Sequence, residues 1–249
     1  MRKNSTALVT GGNGGIGQEI CKALSNQGCH VVAGYHPADQ ENAEKWQAAM
    51  KEEGFNFSIK AADVSNADSA LEMVTQIESE IGPIDVLVNC AGITRDKSIK
   101  KMDIEDWDAV IETNLNSAFY VTKPVMMAMM EREYGRIINI SSVNGQRGQF
   151  GQPNYSAAKA GLHGFTMSAA LEGATKGVTV NTISPGYVET PMTSAMPEKV
   201  LDAIVSQVPM RRMAKPQEIA FAVAFLADER NAYTTGANIP VNGGLFTSF

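Results

Sequence analysis

Five glycines crowd into seven positions near the N-terminus, in the run Thr10-Gly11-Gly12-Asn13-Gly14-Gly15-Ile16-Gly17. Such a run extends neither a strand nor a helix, because glycine loses more backbone freedom than any other residue when it is fixed. It suits a tight turn. Before it stands the short β-prone run Thr6-Ala7-Leu8-Val9-Thr10, and after it Ile16, Ile20, Ala23 and Leu24 recur on one helical face. A strand, a glycine turn and a helix make a junction where free N–H groups and the helix dipole can hold a phosphate. The bland alternative is a plain connection. The turn's place after a first strand and before an amphipathic helix favours the anion site.

The same alternation continues down the chain. Gly28 closes the first helix as a C′ residue. Strands are expected at His30–Gly34, Phe57–Ala61, Ile84–Asn89, Arg136–Ile140, Val178–Ser184 and Asn238–Asn242. Helices are expected at Glu41–Glu52, Ala67–Ile81, Asp103 to about Arg132, Asn154–Thr175 and Lys215–Ala227. Asp103 reads as an N-cap, with Asp106 as its capping-box partner. Alternating strands and helices imply α/β architecture: a single Rossmann-type doubly wound parallel sheet with helices on both faces. No linker composition interrupts residues 1–249, so one domain is expected, with a flexible substrate-covering segment near 190–213, chiefly Met192 to Met213.

Charge and composition remove several classes of function. The net charge of −6 argues against nucleic acid or an anionic membrane as partner. No apolar run reaches the length of a membrane span, and Met1 to Ser5 lead straight into a strand without a signal-peptide core. Cys21, Cys29 and Cys90 have no metal-ligand spacing, so no metal is expected, and three unpaired thiols suit a reducing cytoplasm.

Tyr155 is the one of six tyrosines with a lysine four residues on, Lys159. In a helix that spacing puts both on one face. A phenol is a weak acid near neutral pH, and a nearby ammonium lowers its pKa toward the working range of a general acid. Ser142, at the end of the fifth strand, can donate to a carbonyl oxygen as negative charge develops there. Asn114 stands in mid-helix, where asparagine is unfavourable unless something else uses it.

Taken together these motifs resemble the short-chain dehydrogenase/reductase family over Ala7 to Gly244. The resemblance implies a nicotinamide dinucleotide held by Thr10, Gly11, Gly12, Asn13, Gly15, Ile16 and Gly17. Tyr35 would lie at its adenosine ribose, and Asp63 and Val64 near its adenine. Asn89, Ala91 and Gly92 follow the fourth strand, where Cys90 replaces a second asparagine. Pro185, Gly186, Val188 and Thr190 would meet the nicotinamide. Asn114, Ser142, Tyr155 and Lys159 match the family's catalytic tetrad, with Asn114 holding a water that relays protons toward Lys159. No carboxylate stands at Tyr35 to repel a 2′-phosphate, yet Gly14 and Pro37-Ala38-Asp39-Gln40 carry no base to bind one. The resemblance therefore implies NADPH, with NADH open.

Within the family, Ser141 to Tyr155 and Ala158 to Thr166 look like bacterial acetoacetyl-CoA reductases of polyhydroxybutyrate synthesis. That likeness implies that Ser142, Gln149, Phe150, Gln152, Tyr155 and Tyr187 contact a short acyl-CoA thioester and that the product is the (R)-3-hydroxyacyl-CoA. Amide donors and one aromatic suit a short acyl chain. The close alternative is a 3-oxoacyl-[acyl-carrier-protein] reductase. Those enzymes dock an acidic carrier on arginines in two long helices, where this chain has Met127 and Leu171. Arg211, Arg212 and Lys215 could meet CoA phosphates or form a plain solvated cluster. The other readings are oxidation of an alcohol by the same residues run in reverse, and a non-catalytic nucleotide-binding scaffold, which an intact tetrad argues against. Small residues all round the Asn154–Thr175 helix point to a subunit contact, and the family resemblance implies a homotetramer.

Overall fold

The computed structural model describes residues 5–190, 193 and 198–247. The strands are β1 (Thr6–Thr10), β2 (His30–Tyr35), β3 (Ser58–Ala61), β4 (Ile84–Asn89), β5 (Gly135–Ile140), β6 (Val178–Pro185) and β7 (Asn238–Val241). They form one parallel sheet in the order β3-β2-β1-β4-β5-β6-β7. The chain builds outward from β1 through β2 to β3, then crosses back to lay β4 on the other side of β1. The carboxyl ends of β1 and β4 therefore open a crevice between helices that leave in opposite directions.

The helices are α1 (Gly15–Asn26), α2 (Gln40–Glu52), α3 (Ala67–Glu80), α4 (Ile104–Ile111), α5 (Ser117–Glu131), α6 (Asn144–Arg147), α7 (Pro153–Gly173), α8 (Glu198–Gln207) and α9 (Pro216–Ala227). Strand side chains alternate between two buried clusters. Ala7, Val9, Val86 and Val88 pack with Ile20 and Leu24 of α1 and with Ile219 and Val223 of α9. Leu8 and Leu87 pack with Met73 of α3, Val125 of α5 and Ala169 of α7. Both faces are covered, which is why the strands read as unbroken apolar runs. Gly28 closes α1 at φ +91°: its N–H donates to Ser25 at 2.8 Å and that of Cys29 to Leu24 at 3.1 Å, the paired bonds of a Schellman end.

Two local expectations need correction, the capping box at α4 and the unbroken helix to Arg132. Asp103 precedes α4 at the N-cap but makes no capping bond; its carboxylate accepts from Lys97 Nζ at 2.8 Å. Asp106 pairs instead with Arg95 and Lys97, so ammonium and guanidinium donors outcompete the helix N–H groups. The long helix is interrupted by a π turn at Glu112–Asn116, centred on Asn114. The short helix α6 was not foreseen. Within the stretch expected to be flexible, residues 192 and 194–197 lie outside the described residues, while Glu198–Gln207 is the helix α8.

Candidate active site

The crevice between β1 and β4 is a cleft of about 650 Å³. Its floor on one side is the glycine turn. Gly12 N–H donates to Gly34 C=O at 3.0 Å, tying the turn to β2. Thr10 Oγ1 accepts from the N–H groups of Cys90 and Ala91, both at 3.1 Å, tying it to the end of β4. Gly11 has φ +64°, and a Cβ there would stand 3.0 Å from Ala91 Cα; one at Gly17 would collide with the Gly11 carbonyl. The turn and the start of α1 are thus shaped around an absence of side chains, with Gly11, Asn13, Gly15, Ile16 and Gly17 facing the cleft. The geometry suits a pyrophosphate at a helix N-terminus.

The other end gathers the catalytic candidates. Ser142 follows β5, Tyr155 lies in the first turn of α7 and Lys159 one turn further on, and all three line the same cleft. Lys159 Nζ donates to the Ile140 carbonyl at 2.8 Å and sits 5.7 Å from the Tyr155 ring centre. Ser141 Oγ donates to the Lys159 carbonyl at 2.7 Å, clamping α7 to the end of β5. Burial pulls the Lys159 ammonium down to about 8. Burial also pushes the Tyr155 phenol above 10, and its hydrogen bond with Ser142 opposes that rise. Burial outweighs any lowering of the Tyr155 pKa here, and the Lys159 ammonium donates to Ile140 rather than to the phenol.

Asn114 approaches from the π turn. Its Oδ1 accepts from Ile93 N–H and its Nδ2 donates to Ile93 C=O, both at 2.8 Å. The side chain is committed to the strand-four loop, so a water at Asn114 would have to be held by the main chain.

A family model for short chain dehydrogenases matches residues 5–201. This chain belongs to the short-chain dehydrogenase family. It is 63% identical over 240 residues to an acetoacetyl-CoA reductase of Allochromatium vinosum, covering 96% of this chain and 98% of that protein. It is 54% identical to an acetoacetyl-CoA reductase of Cupriavidus necator, over 96% and 97% of the two chains. A 3-oxoacyl-[acyl-carrier-protein] reductase of Escherichia coli is 45% identical, over 96% of each chain. Membership makes the protein a nicotinamide-dependent oxidoreductase acting at a CH–OH centre.

In this short-chain dehydrogenase the remaining candidate residues divide. Pro185, Gly186, Tyr187, Val188 and Thr190 line the cleft beside the catalytic end. Cys90, Ala91 and Gly92 line it too, and burial raises the Cys90 thiol to about 11. Tyr35, Asp63 and Val64 stand at or just beyond the ends of β2 and β3, outside the cleft lining, and Asp63 accepts from the N–H and hydroxyl of Ser65. Asn89 turns away from the cleft, as its amide donates to Thr122 and Asn139.

Gln152 reaches the cleft with both ends of its amide engaged: Nε2 donates to Asp96 and Oε1 accepts from Asn144 Nδ2. Gln149 and Phe150 are not brought to the cleft. They line a separate shallow recess with Ser98, Ile99 and Lys100, and Phe150 is 90% exposed. Arg212 forms a two-bond pair with Glu218 at 2.6 and 2.7 Å, so it is already partnered. Met127 and Leu171 are exposed.

A buried polar chain beneath the site escaped the sequence reading. Asn89 donates to Asn139, Asn139 donates to Thr166 and Thr182 donates to Thr166, linking β4, β5, α7 and β6. Asn139 interrupts the isoleucines Ile137, Ile138 and Ile140 of β5, and that break in pattern is the signal that could have revealed it. Among the described residues no cluster could hold a metal and no helix is long and apolar enough to cross a membrane.

Proposed function

We propose that this enzyme reduces acetoacetyl-CoA, or another short 3-oxoacyl-CoA, to the (R)-3-hydroxyacyl-CoA. The observation that carries the reading is one cleft with the glycine turn at one end and Ser142, Tyr155 and Lys159 at the other. Identity to the acetoacetyl-CoA reductases exceeds that to the carrier-protein reductase. The exposed methionine and leucine at 127 and 171 support the same choice, since an acidic carrier needs cationic guidance. Such a product would feed synthesis of polyhydroxybutyrate.

The glycine turn would hold the pyrophosphate, Tyr155 and Lys159 the nicotinamide ribose, and Pro185, Gly186, Val188 and Thr190 the carboxamide. When bound, the reduced nicotinamide supplies the hydride. Ser142 donates a hydrogen bond to the carbonyl oxygen and stabilises the charge that develops on it. Tyr155 stays protonated at neutral pH because burial holds its pKa high, and it gives that proton to the same oxygen. Lys159 keeps its charge below about pH 8 and fixes the ribose while held against Ile140. A water held by the main chain at Asn114 would resupply the proton. Tyr187 and Gln152 line the cleft and would face the acyl group.

NADPH enters this reading on the family resemblance alone. The loop after β2 supports NADH as a second reading. Exposed Phe119, Met127, Met167 and Leu171 on α5 and α7 support assembly as a homotetramer, which light scattering after gel filtration would measure. Three free thiols suit the cytoplasm.

The experiment is loss of reduced-nicotinamide absorbance with acetoacetyl-CoA, using NADPH and NADH in turn, beside the carrier-protein thioester and a Tyr155→Phe control. Turnover of the CoA thioester that the control abolishes, with chiral analysis giving the (R) product, supports the proposal. Preference for the carrier-protein thioester moves the enzyme to the alternative. Absence of turnover with tight nucleotide binding points to the scaffold.

A further inference from the structure

Asp96 is flanked in sequence by two cations, and neither pairs with it. Arg95 goes to Asp106, and Lys97 to Asp103 and Asp106. The exposed Asp96 carboxylate accepts instead from Gln152 Nε2 at 2.8 Å. Gln152 Oε1 accepts from Asn144 Nδ2 at 2.9 Å, and the Asn144 main-chain N–H donates to Ser142 Oγ at 3.1 Å. Hydrogen bonds thus run unbroken from the loop after β4 to the catalytic serine. Asn154 anchors that loop, its Nδ2 donating to the Arg95 carbonyl at 3.1 Å and the Asp106 carbonyl at 3.0 Å. Gln152, Asn144 and Ser142 line the cleft, whereas Asp96 stands behind them.

The chain of bonds has a direction, and Asp96 sets it. One end of an amide donates and the other accepts, so Gln152 and Asn144 could each be turned either way, whereas an ionised carboxylate only accepts. With Asp96 in place the Gln152 nitrogen must face it, because a reversed amide would set two acceptors against each other. The Gln152 oxygen then faces Asn144, which must offer its nitrogen. The cost is visible: Asn144 Oδ1 is buried without a partner, and reversing both amides would give it the Gln152 nitrogen. A hydrogen bond to a charged group is roughly twice as strong as a neutral one, so the carboxylate prevails.

We propose that Asp96 is a positioning residue: it turns the Gln152 amide so that the N–H not given to Asp96 donates to the thioester carbonyl oxygen of a 3-oxoacyl substrate. The proposal deepens the reductase reading and rests on it. A 3-oxoacyl thioester carries two carbonyl oxygens, and both only accept. Ser142 and Tyr155 serve the one that is reduced, and the other needs a donor of its own. A reversed Gln152 would present its oxygen there and repel the substrate. Asp96 touches neither substrate nor cofactor and acts through Gln152.

Two substrates isolate this contact. Acetoacetyl-CoA carries both carbonyls. Its thioether analogue 3-oxobutyl-CoA keeps the ketone and the CoA but has a methylene in place of the thioester carbonyl. Comparing the ratio of their kcat/KM values between variants cancels effects on the ketone chemistry and on the CoA. Asp96→Ala should lower the ratio by roughly three- to tenfold. Asp96→Glu, which keeps the carboxylate, should hold it near the wild-type value. Gln152→Ala should lower it too, and adding Asp96→Ala to that variant should change it no further. Equal losses on both substrates at an unchanged ratio overturn the proposal, because Asp96 would then only brace its loop. So does an equal fall for Asp96→Ala and Asp96→Glu, or a further fall when Asp96→Ala is added to Gln152→Ala. Failure of the unaltered enzyme to reduce either compound removes the 3-oxoacyl thioester reading as well, whereas reduction of both at a ratio indifferent to Asp96 sinks this proposal alone.

Discussion

Lys159 Nζ and the Tyr155 ring centre lie 5.7 Å apart, and the same ammonium donates to Ile140 at 2.8 Å. The lysine is braced by the end of β5 rather than by the phenol, and the phenol remains free to act as an acid. Tyr155→Phe removes only that acid. Turnover should fall by about 10²- to 10⁴-fold, while the dissociation constant for the reduced nucleotide changes little. Steady-state kinetics beside fluorescence titration separates the two. A variant retaining most of its turnover would remove Tyr155 from the chemistry.

Lys159 is a buried cation, 4% exposed, whose pKa falls from 10.5 to about 8 because burial disfavours its charge. The unfolded chain therefore holds a proton that the folded one lacks between about pH 8 and 10.5, and stability from this group rises with pH across that window. Below it, the buried charge costs roughly 3 kcal/mol. Lys159→Met removes that cost and one hydrogen bond worth about 1 kcal/mol, so at pH 7 the inactive variant should be the more stable by about 2 kcal/mol. The difference should shrink as pH approaches 10. Urea unfolding of both proteins across pH 7 to 10 tests this; a variant less stable at pH 7 contradicts it.

Much of this was legible in the sequence, for physical reasons that differ from element to element. The strands of a doubly covered sheet are dense apolar runs, so Ile84–Asn89 could be bounded to the residue. The glycine turn announced itself because its backbone excludes Cβ atoms. Side-chain competition was not legible. Nothing in the order Asp103-Ile104-Glu105-Asp106 shows that Lys97 and Arg95 fold back to claim both carboxylates. The π turn at Asn114 depends on the loop at Ile93, 21 residues away, which no local pattern encodes. Gln149 and Phe150 are adjacent to a true cleft residue, Gln152, yet Gly148 at φ +72° and Gly151 at φ +82° turn the loop that carries them to another recess.

The polar chain beneath the site should be costly to break. Asn139 is fully buried and serves Asn89 and Thr166 at 2.8 Å each. Asn139→Ala leaves a buried amide donor of Asn89 without that acceptor, at a cost of about 1–3 kcal/mol for the unmet group. The carboxyl ends of β4 and β5 carry the site, so turnover should fall with stability even though Asn139 touches neither cofactor nor substrate. The urea midpoint and kcat report both effects. An unchanged midpoint would show that Asn139 stabilises nothing.

Gly145 sets how closely α6 approaches α7. A Cβ there would lie 2.7 Å from the Lys159 carbonyl carbon and 2.8 Å from Ala160 N, both backbone atoms with no rotamer to yield. Gly145→Ala must therefore push α6 away from α7. The displaced segment includes Ser142, whose Oγ accepts from Asn144 N–H at 3.1 Å, whereas Tyr155 and Lys159 stay with α7. Ser142 and Tyr155 would then no longer converge on one carbonyl oxygen, and a misplacement near 1 Å can lower the rate about 10²-fold. The glycine turn lies across the cleft and is untouched, so affinity for the nucleotide should persist while kcat falls. Wild-type kcat in a folded Gly145→Ala protein would mean that the spacing of these two helices does not set the geometry of the site.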